Sequence, residues 1–219
     1  MKVTQAFPKF YVSVDCVVFG FAERRLKVLL FEHHQESGKS ELSLIGDFVQ
    51  NDESVDSSAQ RILKEFTGLD NIYMQQLATD DVVERDSDER FIHIVYYALM
   101  DVENYNPTLS DIHHTQWIDV DNIPNLRAGQ NEMVQKARCA VGKNIKNEPV
   151  GSYLLPQYFT LSMLQTLYES ILDTTMDKRN FRRFILEKDF VQATDMMDHS
   201  SRRGASLYRF KILNSLSHT

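Results

Sequence analysis

Apolar and polar positions divide the chain into two unequal parts. Residues 10–21 read FYVSVDCVVFGF, rich in β-branched and aromatic side chains, and predict a strand. The polar AERR that follows predicts a turn, and LKVLLF at 26–31 a returning strand. A polar loop at 33–40 leads to a short strand within 42–49 that ends at Gly46. From 54 to 67 the apolar positions Val55, Ala59, Ile62, Leu63 and Phe66 take up helical spacing, and Gly68 supplies a C-terminal cap. Strands are predicted at 73–83, 90–100 and 116–120, then an amphipathic helix over 131–146. That order predicts a mixed α/β domain over residues 1–147.

Pro149, Gly151, Ser152 and Pro156 mark residues 148–158 as a linker. Behind it, Thr160 is a fitting N-cap for a helix whose Leu161, Leu164, Tyr168 and Ile171 recur at helical spacing. After a tight connection at 173–176, Asp177 caps a second helix over 178–188 with Phe181, Phe184 and Ile185 on its apolar side. Strands at 190–194 and 205–211 flank the polar turn DHSSRRG. Helix, short turn, helix and hairpin is the order of a winged helix-turn-helix, here over 159–219.

Charge sharpens the division. The chain has 24 Lys+Arg against 31 Asp+Glu, a net of −7. Residues 1–155 carry −9 and residues 156–219 carry +2, so only the back part has the electrostatic sign of a nucleic-acid binder. With 42% hydrophobic and 25% charged residues, wholesale disorder is excluded. The start of the sequence lacks the apolar region of a signal peptide, and no apolar run approaches the roughly 20 residues that span a bilayer. A cytoplasmic protein with no membrane partner is expected. Cys16 and Cys139 form no C-x-x-C pair; they could pair with each other, but two buried, reduced thiols are expected in a chain of this size. No Cys/His cluster suggests zinc, and the pairs His33-His34 and His113-His114 are read as surface or loop histidines.

The stretch GDFVQNDESVDSSAQRILKEFTGL at 46–69 resembles the Nudix box, G-x5-E-x7-R-E-U-x-E-E-x-G-U, with U a bulky aliphatic residue. Glu53, Arg61, Leu63, Glu65, Gly68 and Leu69 match in register. The box's glycine falls on Asp47, and two of its glutamates fall on Ile62 and Phe66. In working members those glutamates bind Mg²⁺ or a similar ion, which needs several hard oxygen ligands. One carboxylate beside two large apolar side chains is a poor site, and diphosphate hydrolysis would lose its main catalytic aid. No hydrolase activity, catalytic residue, metal or cofactor is therefore expected. The alternative is a Mg²⁺-dependent Nudix hydrolase of a nucleoside diphosphate derivative such as ADP-ribose, with a metal site rebuilt from Glu53, Glu65 and Asp47 or Asp52. Arg61 and Glu65, four residues apart, are read as a local ion pair, with Glu53 holding the loop.

A pocket without catalysis still binds. Arg85 and Arg90 flank the acidic run of RDSDER ahead of the longest strand and could hold a ligand's hydroxyls or phosphates, or mark a charged hairpin tip. Asp15, inside an apolar strand, needs a partner: a sugar hydroxyl or an internal group. In the back part, Lys178, Arg179, Asn180, Arg182 and Arg183 crowd the start of the second helix, where a recognition helix meets phosphates and guanine edges. Arg202 and Arg203 sit at the hairpin tip, where a wing meets the DNA backbone.

The stretch from LLPQYFTLSML to RRFIL, with the later SSRRGASLYRF, is similar to the C-terminal domain of Nudix-related transcriptional regulators, closest to the arabinose-responsive AraR type of Bacteroides-like bacteria, with the NrtR type as a sister group. The resemblance implies an α/β (α+β, Nudix-like) sandwich fused to a winged helix-turn-helix. It further implies a homodimer on a palindromic double-stranded DNA operator, controlled by an effector in the front domain. An arabinose-like pentose follows from the first type and an ADP-ribose-like nucleotide from the second.

Overall fold

A computed structural model describes residues 10–34, 40–82, 91–127, 129–198 and 204–211. Among them, six strands form one mixed sheet in the order β4-β5-β1-β3-β2-β6. β1 (Tyr11–Ala22) lies at its centre, parallel to β5 (Phe91–Leu99) and antiparallel to β3 (Ser40–Phe48). Its far end pairs with β2 (Arg25–His34) through a two-residue turn, Glu23-Arg24, whose φ angles of 52° and 62° are those of a tight hairpin. β4 (Tyr73–Val82) and β6 (Thr115–Asp119) close the edges.

Both faces of β1 are covered, which is why its middle reads as a continuous apolar run rather than an alternation. Val14, Cys16 and Val18 pack with Leu29, Ile45, Tyr96 and Ala98 under α1 (Val55–Thr67). Val17, Phe19 and Phe21 face the other way, with Val95, Tyr97 and Leu99, under α3 (Gln130–Asn144). A short helix, α2 (Pro107–His113), precedes β6 in a stretch where the sequence predicts none. Cys16 is buried as expected, but Cys139 is exposed: the inward stripe of α3 runs through Met133, Val134, Ala137 and Val141 and misses it.

The back part begins with a 3-10 helix, Val150–Tyr153, and a two-residue strand, β7 (Phe159–Thr160). Then come α4 (Leu161–Leu172), α5 (Lys178–Glu187), β8 (Val191–Asp198) and β9 (Ala205–Phe210), with a small sheet in the order β7-β9-β8. β8 runs past Thr194, where the sequence-predicted strand stops, because a register shift between Ala193 and Met197 lets pairing resume at Met197 and Asp198. This is a sheet-and-helix front domain followed by a winged helix. Within the stretch 148–158, Val150, Gly151, Leu154 and Leu155 are buried, and one apolar core runs from Val17 and Tyr97 through Leu154 to Leu167, Tyr168 and Phe181. A Cβ on Gly151 would meet the Phe210 ring at 3.2 Å and Leu167 at 3.3 Å, so this seam is close-packed. Among the described residues, no helix is long and apolar enough to cross a membrane.

Candidate effector site and nucleic-acid interface

Ser54 caps α1 by accepting from Ser57 N, and Gly68 ends it at φ 76°, with its N–H on Lys64 O. Long helical side chains lie back over the preceding turn. Arg61 therefore reaches toward the start of α1 and not forward to Glu65. Its Nε and Nη2 donate to Glu53 Oε2 and Oε1 at 3.1 and 2.9 Å, Nη1 donates to Asp47 Oδ2 at 2.9 Å, and Nη2 also donates to Phe48 O at 3.1 Å. The predicted Arg61–Glu65 pair is replaced by this fork, and Glu65 stands exposed. Glu53 does hold the loop, because its Oε1 also accepts from Gln50 N at 3.0 Å. The guanidinium first, then the Gln50 N–H, hold the Glu53 carboxyl down at about 2, while the hydrogen bonds to Glu53 first and then Asp47 push the Arg61 guanidinium up.

These residues do not fit a divalent cation. Ile62 is wholly buried in the core beneath α1. Phe66 packs against the Phe31 ring at 5.9 Å and His113 at 4.8 Å. Each oxygen of Glu53 and Asp47 already accepts an N–H, the remaining Asp47 Oδ1 from Phe48 N at 2.8 Å. Among the described residues, no group of three or more His, Cys, Asp or Glu could hold a metal ion.

Across the sheet, on the α3 side, a second polar cluster forms. The β1–β5 register sets Ser13 beside His93 and Asp15 beside Val95, while β3 places Gly46 beside Asp15 and Phe48 beside Ser13. His93 Nδ1 lies 2.8 Å from Asp15 Oδ2 and 2.9 Å from Ser13 Oγ. Asp15 is only 8% exposed, so the internal partner that the sequence left open is present and lies in β5. A Cβ on Gly46 would meet Val14 O at 2.7 Å and Asp15 Oδ1 at 3.2 Å, so glycine is required where the carboxylate leans over β3. Beyond this cluster, Tyr11 stacks on Phe91 at 5.3 Å, and Phe48 lies 6.0 and 6.3 Å from the two rings. Tyr11 and Phe48 are half exposed. Aromatic faces beside a carboxylate and an imidazole suit a ligand with a flat ring and hydroxyls. Arg85 and Arg90 lie outside the described residues. The segment that carries them joins Val82 to Phe91, which pair with each other, and Phe91 pairs with Tyr11.

Sequence reading missed His93 and the aromatic trio. FIHIVYY reads as core, and only the long-range parallel pairing of β5 with β1 brings His93 to Asp15.

The back domain orients α5 through its turn. Gln165 Nε2 donates to Glu169 Oε1 at 2.9 Å and to Met176 O at 2.8 Å, while Met176 N donates to Glu169 Oε1 at 2.8 Å. Asp177 caps α5 by accepting from Asn180 N at 2.9 Å. Phe181 and Ile185 are buried, with the Tyr168 ring 5.2 Å from Phe181. Lys178, Arg179, Asn180, Arg182 and Arg183 are all exposed. Arg183 makes one loose pair with Glu187 at 3.9 Å, which both partners share with solvent. Arg202 and Arg203 lie outside the described residues, between the paired ends Asp198 and Ala205.

The NUDIX domain family model matches residues 9–137, and the NrtR DNA-binding winged helix domain model matches residues 151–210. The ADPR responsive transcriptional repressor NtrR of Acinetobacter baylyi is 29% identical over 210 residues, covering 94% of this chain and 84% of that protein. The crystal structure of Shewanella oneidensis NrtR complexed with a 27mer DNA superimposes with a TM-score of 0.78 at 26% identity, covering 91% of this chain and 93% of the other. The NUDIX domain of Shewanella oneidensis NrtR complexed with ADP ribose shares the fold, with a TM-score of 0.51 at 23% identity over 63% of this chain and 92% of that one. These relatives are of the NrtR type, not the arabinose-responsive type to which the sequence motifs were read as closest.

Proposed function

The chain belongs to the Nudix family and carries an NrtR-type winged helix domain behind its Nudix domain, and we propose that it is a cytoplasmic, homodimeric transcriptional repressor that senses an ADP-ribose-type nucleotide instead of hydrolysing it. One observation carries the DNA part: α5 buries Phe181 and Ile185 and turns Lys178, Arg179, Asn180, Arg182 and Arg183 to solvent at its first turns. Those residues enter the major groove, and Arg202 and Arg203 meet the backbone from the wing. The Arg61 fork supports the sensing part, since it neutralises Glu53 and Asp47, two of the carboxylates from which a metal site would be rebuilt.

In this reading the effector lies at the end of the sheet formed by β1, β3 and β5. Asp15 and His93 take ribose hydroxyls, Tyr11, Phe48 and Phe91 take the adenine, and Arg85 and Arg90 take the diphosphate. A free pentose would leave both the aromatic faces and the arginines without a role, which favours the nucleotide over arabinose. The relative from Acinetobacter baylyi is ADPR responsive, in keeping with this choice.

Gel-shift titration against DNA upstream of the chain's own coding sequence tests the first part. An Arg179→Ala/Arg183→Ala variant loses at least about tenfold in affinity, since each good base contact contributes about 1–3 kcal/mol. Wild-type affinity in that variant would overturn the recognition-helix assignment. For the effector, ADP-ribose raises the melting temperature by mass action and weakens the DNA complex, whereas arabinose does neither. A response to arabinose alone reverses the ligand assignment.

A further inference from the structure

α3 ends beside the recognition helix, and the residues after it are fixed there. Ile145, its C-terminal cap, is fully buried, and its carbonyl accepts from Tyr168 Oη at 2.7 Å. The Tyr168 ring lies 5.2 Å from Phe181 and 6.1 Å from Phe184, both on α5. One residue on, Lys146 is exposed and, with Asn147, lines the same cavity of about 420 Å³ as Asp177, Asn180 and Phe184. The turn is closed behind it by Asn147 N and Glu148 N, which donate to Asn144 O at 2.9 and 2.8 Å. Among the described residues, no carboxylate lies within ion-pair distance of the Lys146 ammonium. Tyr168 thus fixes the backbone just before this unpaired cation, which shares a cavity with Asn180 of α5.

Resting on the DNA-binding reading above, we infer that Lys146 contacts a phosphate of the DNA backbone beside the groove that α5 enters. A helix seated in the major groove is bordered by two phosphate rails. A lysine fixed on the flank of its first turn meets one of them, as a point charge without base preference. The effector domain then contributes directly to DNA affinity. α3 also reaches the other end of the domain, where Gln130 Oε1 accepts from Leu44 N at 3.0 Å and Lys136 pairs with Asp80 at 3.3 Å. The helix that leads into Lys146 is therefore in contact with the sheet that carries Asp15.

The test is DNA binding over a salt series by the full chain and its Lys146→Ala, Lys146→Arg and Arg179→Ala/Arg183→Ala variants. The probes are duplexes tiled across the DNA upstream of its own coding sequence and a random-sequence duplex of equal length. Lys146→Ala lowers the slope of log affinity against log salt by roughly 0.9, the value of one phosphate contact. It weakens the tightest upstream duplex and the random duplex by the same factor, and Lys146→Arg restores both. An unchanged slope and affinity in Lys146→Ala, with binding lost in the double arginine variant, overturns this inference and leaves the DNA-binding reading intact. No binding by the wild-type chain to any duplex overturns both. Equal melting temperatures for the variants establish that folding is unaffected.

Discussion

Arg138 Nε donates to the carbonyl oxygen of Ile171 at 3.2 Å, so a helix of the front domain closes the last turn of a helix of the back domain. Its Nη2 donates to Ser170 O, and Nη1 pairs with Asp121 Oδ1 at 2.9 Å. The side chain is 9% exposed. The last carbonyls of a helix have no partner within it and carry the negative end of its dipole, and a guanidinium answers both needs.

Arg138→Met removes that cap and strands two carbonyls at the seam. A loss of about 2 kcal/mol in urea unfolding is expected. Arg138→Lys recovers only part of it, because an ammonium cannot reproduce the fork. A loss below about 0.5 kcal/mol in the methionine variant would mean that apolar packing alone joins the two domains.

Sequence legibility followed the range of the interactions. β1, α1, α4 and α5 are legible because apolar spacing and the caps Gly68, Thr160 and Asp177 are local signals. α2 escaped for lack of length, although Asn106 caps it and Pro107 opens it, both of which sequence shows. The exposed face of α5 follows from where Phe181 and Ile185 fall along the helix. The site on the sheet does not. Asp15 could be singled out as a carboxylate in an apolar strand, but its partner is 78 residues away. Arg138 looks like any exposed arginine of an amphipathic helix until α4 is placed against it. The i, i+4 spacing of Arg61 and Glu65 suggests a local pair, but only the fold of the 47–53 loop against α1 shows that Glu53 and Asp47 lie where Arg61 leans.

The Glu53–Arg61 fork predicts an acid-sensitive loop. The Glu53 carboxyl ordinarily titrates at 4.5 and here titrates at about 2. A carboxyl whose pKa is lower folded than unfolded stabilises the fold while ionised. Its contribution is complete above the ordinary value and disappears as pH falls through about 2. Urea unfolding measured between about pH 6 and pH 2 should therefore show a steeper acid loss for the wild type than for Glu53→Gln. Parallel curves for the two proteins would exclude this pair as the origin.

The box predicts its own resistance to repair. Ile62→Glu places a carboxylate in a position with no exposure, under α1 and among Leu29, Ile45 and Tyr96. A destabilisation of at least about 3 kcal/mol is expected, and no gain of turnover. Phe66→Glu is milder, because Phe66 is only half-buried, yet it too leaves Glu53 and Asp47 engaged by Arg61. Neither variant, nor the wild type, should release AMP from ADP-ribose in Mg²⁺. Metal-dependent product from the wild type would return the chain to the hydrolases.

Gly46 gives the sharpest test of the effector assignment, because it acts on Asp15 without being a ligand contact. Gly46→Ala drives a Cβ to 2.7 Å from Val14 O, a backbone atom that can move only with β1, and to 3.2 Å from Asp15 Oδ1. The carboxylate must shift, and its 2.8 Å contact with His93 Nδ1 with it. Asp15→Asn keeps the shape and removes the charge that holds the imidazole. Calorimetric titration with ADP-ribose should show weakening of about tenfold in Asp15→Asn and more in Gly46→Ala, with DNA affinity in the absence of effector near wild type in the first. Unchanged ADP-ribose affinity in both variants would move the effector off this end of the sheet, since no pocket built on Asp15 and His93 could tolerate both substitutions.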